Sequence, residues 1–197
     1  MAVREILRMG HPLLRQKSRE MTLDEISSEE TLKLIDDMYE TMQANEGIGL
    51  AAPQIGELIQ LAIIGVPEAD PGQGPTSSRY SQELLESMQL PSFKGHKLLT
   101  VINPKISYLT KDTQFFWEGC LSVPGLRGEV QRPKHIKVRF FDQWANEHEI
   151  EVQGFMATVF QHEIDHLHGV IYIDRIQDKT KLAFNEEYLK FWVEPPN

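Results

Sequence analysis

The stretch from Gly154 to His168 constrains this chain more than any other. Phe155, Val159, Ile164 and Leu167 recur at helical spacing and offer an apolar face, while the same turns carry Gln161-His162-Glu163-Ile164-Asp165-His166. Such a helix must bury itself against a core and still deliver polar side chains to one point. Residues four apart differ by about 40° around a 3.6-residue helix, so both imidazoles of this H-E-x-x-H can reach one metal ion, with Glu163 beside them as a base. The strands needed to bury the helix are legible upstream. Ile136, Val138 and Phe140 alternate with polar residues, and Ile150 and Val152 follow a polar turn from Asp142 to Asn146, which predicts a hairpin within a sheet. The expected fold class is α+β, with short strands flanking one central helix.

Elsewhere the pattern is more ordinary. Ser27 stands three residues before Glu30, a capping-box spacing, and Leu32, Ile35, Met38 and Met42 recur at helical period. They predict a helix from about Ser28 to Asn45 that ends near Gly47. From Gly65 to Lys97 the composition shifts. Pro67, Pro71, Gly72, Gly74 and Pro75 predict an exposed inserted loop, with one short helix between Ser81 and Leu90. The 197 residues, 41% hydrophobic and 25% charged, suit one catalytic domain over 1–197. A domain of that size folds without a metal staple, so a metal site here is expected to do chemistry.

The exclusions are simple. One cysteine, Cys120, forbids an intrachain disulfide and fits a reducing cytosol. Arg4, Glu5 and Arg8 interrupt the N-terminal segment before a signal-peptide core can form, and no stretch approaches the roughly 20 apolar residues of a membrane span. Export and membrane insertion are not expected. A formal charge of -9 argues against broad binding to nucleic acid or anionic lipid.

A catalytic zinc-type site needs a third protein ligand and an open position. Tyr172 stands where a metzincin would place its last histidine, and His168 points to another face of the helix. Cys120 is the remaining strong candidate, set in Trp-Glu-Gly-Cys-Leu-Ser-Val-Pro-Gly, although a lone cysteine is commonly a small core residue. In Gly-Ile-Gly-Leu-Ala-Ala-Pro-Gln-Ile-Gly, Gly47 to Gly56, the Gln54 amide can donate to an oxygen. A tight helix-to-strand connection explains those glycines equally well.

Taken jointly and in order, GIGLAAPQ (Gly47 to Gln54), EGCLSVPG (Glu118 to Gly125) and QHEIDHLHG (Gln161 to Gly169) closely resemble the three signature motifs of the peptide deformylases. The likeness runs through most of Ile6 to Ile176, including ILRMGHPLLR, the INP at Ile102 to Pro104 and IYIDRI at Ile171 to Ile176. The resemblance implies mostly antiparallel sheets around the helix with the two histidines. It also implies a metal-dependent hydrolase that removes the formyl group from N-formylmethionyl nascent polypeptides. By the same resemblance, Cys120, His162 and His166 are the metal ligands and Glu163 is the catalytic acid and base. Gln54, through its amide, and Leu121, through its backbone N–H, bind the substrate oxygen, and Gly49 aligns the peptide. Ile48, Phe116, Thr158 and Val159 are expected in the methionine pocket. Glu118 and Arg132 are expected to support the Cys120 loop through a salt link, Arg127 to touch the peptide backbone, and Asp165 to orient a ligand.

The implied cofactor is one divalent ion per chain, Fe²⁺ in the cell, with Zn²⁺, Ni²⁺ or Co²⁺ able to replace it in purified protein. The implied partners are nascent N-formylmethionyl chains and, transiently, the ribosome that makes them. The segment from Lys179 to Asn197 sets Lys179, Lys181 and Lys190 against Glu186, Glu187 and Glu194, so it is no basic docking tail. Its Leu182, Phe184, Leu189, Phe191 and Trp192 predict packing on the body or against a second subunit, and either a monomer or a homodimer is compatible. No direct nucleic-acid contact or membrane contact is expected, and the location is cytoplasmic. Two alternatives share parts of this pattern, a metallopeptidase of H-E-x-x-H type and a metal-containing binding module. Release of formate separates the first from a deformylase, and an open, water-occupied metal position would refute the second.

Overall fold

The computed structural model describes residues 2–65 and 98–193. The described strands are β1 (Gly49–Ala51), β2 (Leu61–Gly65), β3 (Leu98–Tyr108), β4 (Thr113–Cys120), β5 (Val123–Pro133), β6 (His135–Phe141), β7 (Glu147–Gln153) and β8 (Leu182–Phe184). The helices are α1 (Leu23–Ile26), α2 (Glu29–Ala44), α3 (Phe155–Leu167) and α4 (Asn185–Tyr188), joined by short 3-10 turns. Two antiparallel sheets result, one of five strands in the order β1-β2-β3-β6-β7 and one of three in the order β4-β5-β8.

Successive strand residues face opposite ways, so β2, buried along its whole length, requires cover on both sides. Leu61 and Ile63 face a core shared with Ile35, Met38 and Met42 of α2. Ile64 faces the other core, with Val159, Phe160 and Ile164 of α3 and with Val138, Phe140 and Val152 of the hairpin. The three-stranded sheet packs Val123 and Val130 on Ile171 and Tyr172, just beyond α3. The helix with the two histidines is therefore enclosed, and every residue from Ala157 to Leu167 is buried. Gly154 starts it at φ 64 and ψ -144, a backbone state that favours glycine, which lets the chain leave β7 and turn directly into the helix.

The hairpin forms as the alternation predicts, with Ile136 opposite Val152 and Val138 opposite Ile150. The first long helix spans Glu29–Ala44, but its cap is Ser28, whose Oγ accepts the Thr31 N–H at 3.2 Å, and not Ser27. Ser27 is taken up as the end of α1, a single turn opened by a capping box between Thr22 and Glu25. Two helices thus share the serine pair, and only the second serine is free to cap forwards. The inserted loop at 65–97 and the helix expected from Ser81 to Leu90 lie outside the described residues, apart from Gly65 at the end of β2. The C-terminal segment packs on the body in part. β8 pairs with β5, and the Trp117 ring meets Tyr188 and Trp192 at centroid distances of 4.9 and 5.2 Å, while Phe184 and Phe191 stay exposed. Among the described residues no helix is long and apolar enough to cross a membrane.

Phe160 fills the contact between α3 and the five-stranded sheet and is fully buried. Phe160→Ala is expected to lower stability by about 3–5 kcal/mol, read as a shift of the urea midpoint at unchanged slope.

Candidate metal centre

β4 ends at Cys120 and α3 carries His162 and His166, so the contact between the smaller sheet and the central helix brings the three residues together. Their donor atoms lie within 4.8 Å of one another, and His166 Nε2 is 3.2 Å from Cys120 Sγ. A register shift in β4 between Glu118 and Cys120 coincides with this approach.

The second ring nitrogen of His162 is held by its surroundings. Nδ1 lies 2.7 Å from Glu118 Oε2, which leaves Nε2 for the centre. Glu118 in turn accepts from Arg132 Nε at 2.5 Å and from Arg132 Nη2 at 2.9 Å, and Arg132 Nη1 donates to Asp165 Oδ2 at 2.8 Å. The predicted support of the Cys120 loop by Glu118 and Arg132 is present, and it extends to the helix itself. Asp165 does not orient a histidine directly. It accepts from Arg132 and from Arg175, at 2.7 Å to Nη2, and so acts through the arginine that holds Glu118.

Charge follows this arrangement. Burial opposes a charged His162, yet its hydrogen bonds with Cys120 and Glu118 hold the ring well above its usual value. The middle of the donor set thus favours positive charge. Burial, aided by the nearby His162 and Arg132, pushes His166 well below the usual value, which keeps it a neutral donor. Burial also pushes Glu163 up to about 7, with His162 pulling down and Glu118 pushing further up. Glu163 Oε2 and His166 Nδ1 are buried with no hydrogen-bond partner among the described residues. A thiolate and two imidazoles suit a divalent transition metal such as iron or zinc, so the residues present fit such an ion.

Glu118, Cys120, His162 and Glu163 line a cavity of about 1220 Å³, large enough for several residues of an extended peptide. Ile48, Gly49, Gln54, Leu121, Arg127, Thr158 and Val159 all line it. Phe116 does not. Its ring packs edge-on against Phe155 at 5.5 Å, and Phe155 with Met156 forms the wall instead. Phe155 lies three and four residues before Thr158 and Val159, so helical spacing already placed it on their face. Gly49 lies so close to Glu163 that a Cβ there would overlap Glu163 Oε1. Arg127 lies over Gly119 at the rim, and its Nε donates to Asn185 Oδ1 at 3.3 Å.

Comparison with known proteins accounts for this assembly. The family model described as polypeptide deformylase matches residues 3–182. The chain belongs to the polypeptide deformylase family. It is 41% identical over 187 residues to a peptide deformylase of Leptospira biflexa, covering 95% of each chain. It is also 41% identical to peptide deformylase 1 of Prochlorococcus marinus, covering 95% of this chain and 88% of that one. Among solved structures, the peptide deformylase of Ehrlichia chaffeensis in complex with actinonin superposes with a TM-score of 0.71 at 34% identity, covering 92% of each chain. The Thermotoga maritima peptide deformylase gives a TM-score of 0.71 at 34% identity, covering 90% of this chain and all of that one. This deformylase is a hydrolase that removes the N-formyl group from nascent peptides.

Two substitutions probe the centre. Glu118→Gln removes the charge between His162 and Arg132 and is expected to weaken metal affinity about 10–100-fold, measured by competition with a chelator. Gly49→Ala is expected to displace Glu163 and to lower formate release while metal content, read by atomic absorption, stays at the parent level.

Proposed function

We propose that the 1–197 chain is one catalytic domain and that Cys120, His162 and His166 hold a single divalent ion, Fe²⁺ in the cell, beside Glu163 as acid and base. The observation that carries this reading is the cluster of three metal-type donors, two of which, Cys120 and His162, line one cavity with Gln54 and with Glu163, a buried carboxyl whose Oε2 has no hydrogen-bond partner among the described residues. Bound there, the cation supplies Lewis acidity, which makes water a nucleophile near neutral pH and offsets oxyanion charge.

The chain's own groups do the rest. Glu163, poised near neutrality by burial, accepts a proton from water as the water oxygen bonds to the formyl carbon. Gln54 Nε2 and the Leu121 backbone N–H donate to the formyl oxygen as charge grows on it. Each such donor is worth roughly 3 kcal/mol of barrier. The carbon–nitrogen bond then breaks, and Glu163 returns its proton to the departing amine. One water is consumed, and formate and a free N-terminal methionine are released.

Binding precedes this step. Ile48, Thr158 and Val159, joined by Phe155 and Met156, receive the methionine side chain. β1 is the outer strand of its sheet, so the backbone around Gly49 has an open edge along which an extended peptide aligns. Arg127 reaches the peptide at the rim. The substrate is a nascent formylmethionyl chain in the cytosol, met in passing at the ribosome.

The decisive experiment follows formate from a formyl-Met tripeptide with Fe²⁺-loaded protein purified without oxygen. Glu163→Gln is expected to retain its metal and to lose about 10²–10⁴-fold in kcat. Cleavage of internal amides without formate would replace this reading by a peptidase.

A further inference from the structure

A glutamine amide has two ends of nearly equal shape, and it serves as a donor only where something fixes which end faces the site. At Gln54 three contacts do so. Oε1 accepts the Ala51 N–H at 2.8 Å, which turns Nε2 towards the metal centre. Nε2 then lies 3.1 Å from Ser122 Oγ and 3.4 Å from Cys120 Sγ. Ser122 is fully buried, comes directly after the proposed N–H donor Leu121, and makes no part of the mechanism above.

The loops that carry Gln54 and Ser122 are far apart in sequence, and a third segment ties them together. Leu7 N–H donates to the Gln54 carbonyl at 2.8 Å, and Met9 N–H donates to the Ser122 carbonyl at 2.7 Å. The same N-terminal segment is anchored on α2, where Arg4 makes two bonds to Asp37 Oδ2, at 3.0 Å from Nε and 2.8 Å from Nη2. Backbone and side chain therefore hold one geometry between the two residues.

We propose that Ser122 is a positioning residue for Gln54: its Oγ takes one hydrogen of the amide and keeps the other on the side of the metal centre, where it meets Cys120 Sγ in this structure and the reacting oxygen once substrate is bound. Ser122 itself does not touch substrate. Without it the amide keeps the Ala51 anchor and the longer contact to Cys120 Sγ but gains freedom about its last torsion, and part of the preorganisation that makes an oxyanion donor effective is lost. The inference rests on the reading of Gln54 as the group that binds the formyl oxygen.

The test uses four zinc-loaded full-length proteins, the parent, Ser122→Ala, Gln54→Ala and the double variant, matched for metal content and melting temperature. Hydrogen exchange of the Gln54 side-chain amide is read by nitrogen-15 NMR, beside kcat and KM for a formyl-Met tripeptide. Ser122→Ala is expected to speed that exchange and to lower kcat, each about tenfold, with KM within about twofold. In the Gln54→Ala background the same change is expected to cost less than about twofold, because its target is gone. Independent, additive losses overturn the proposal. So does a parent whose Gln54 amide exchanges as fast as free glutamine, a result that does not require any variant to fold. If the amide is protected through Ser122 but the parent releases no formate, the positioning role stands and the deformylation reading falls.

Discussion

The site depends on one buried cation of the protein itself. Arg132 is 4% exposed, lies on β5, and donates to Glu118 on β4 and to Asp165 on α3. A guanidinium out of water is tolerated only when its donors are met, and removing one partner of such a group costs about 3–5 kcal/mol. The requirement works in both directions here. Arg132 needs the sheet and the helix at a fixed separation, and that separation brings Cys120 within reach of His166. Glu118 then spends its second oxygen on His162, so the same ion pair that joins two elements also selects the ring nitrogen that faces the metal.

Desolvation gives this centre its chemical character. α3 is buried throughout its last three turns, so its polar residues must either find partners or change their proton affinity. His162 finds Glu118, Gln161 finds the carbonyls of Pro133 and Ala157, and Asp165 finds two arginines. Among the described residues Glu163 has no such partner at Oε2, and it is raised instead. Its neighbour Gly49 supplies the room, because only a residue without a side chain lets β1 pass against that carboxyl.

Much of this was legible in the sequence, and range explains the misses. Helical and alternating periods are local, so α3, α2 and the hairpin β6–β7 emerged from spacing alone. Three motifs in order then supplied the resemblance that joined Cys120 to the histidines. The partner of Asp165 could not be read this way, since Arg132 lies 33 residues before it and on another element. The cap of α2 was misplaced by one residue because spacing alone cannot tell which of two adjacent serines a preceding turn consumes. Phe116 was placed in the pocket although Phe155 stands in front of it. The order of layers along a line of sight is a property of packing, and no motif encodes it.

The position of β1 has a wider consequence. The strand is three residues long, and among the described residues its outer edge carries no partner strand. An open edge is ordinarily a hazard, and shortness limits the risk of pairing with the wrong chain. Beside the buried Glu163 carboxyl the same edge offers main-chain groups rather than side chains. Amide groups are the same in every protein, so a peptide aligned there as proposed would be held through groups that every sequence shares. Such an edge suits an enzyme whose substrates are nascent peptides, which share a backbone and little else.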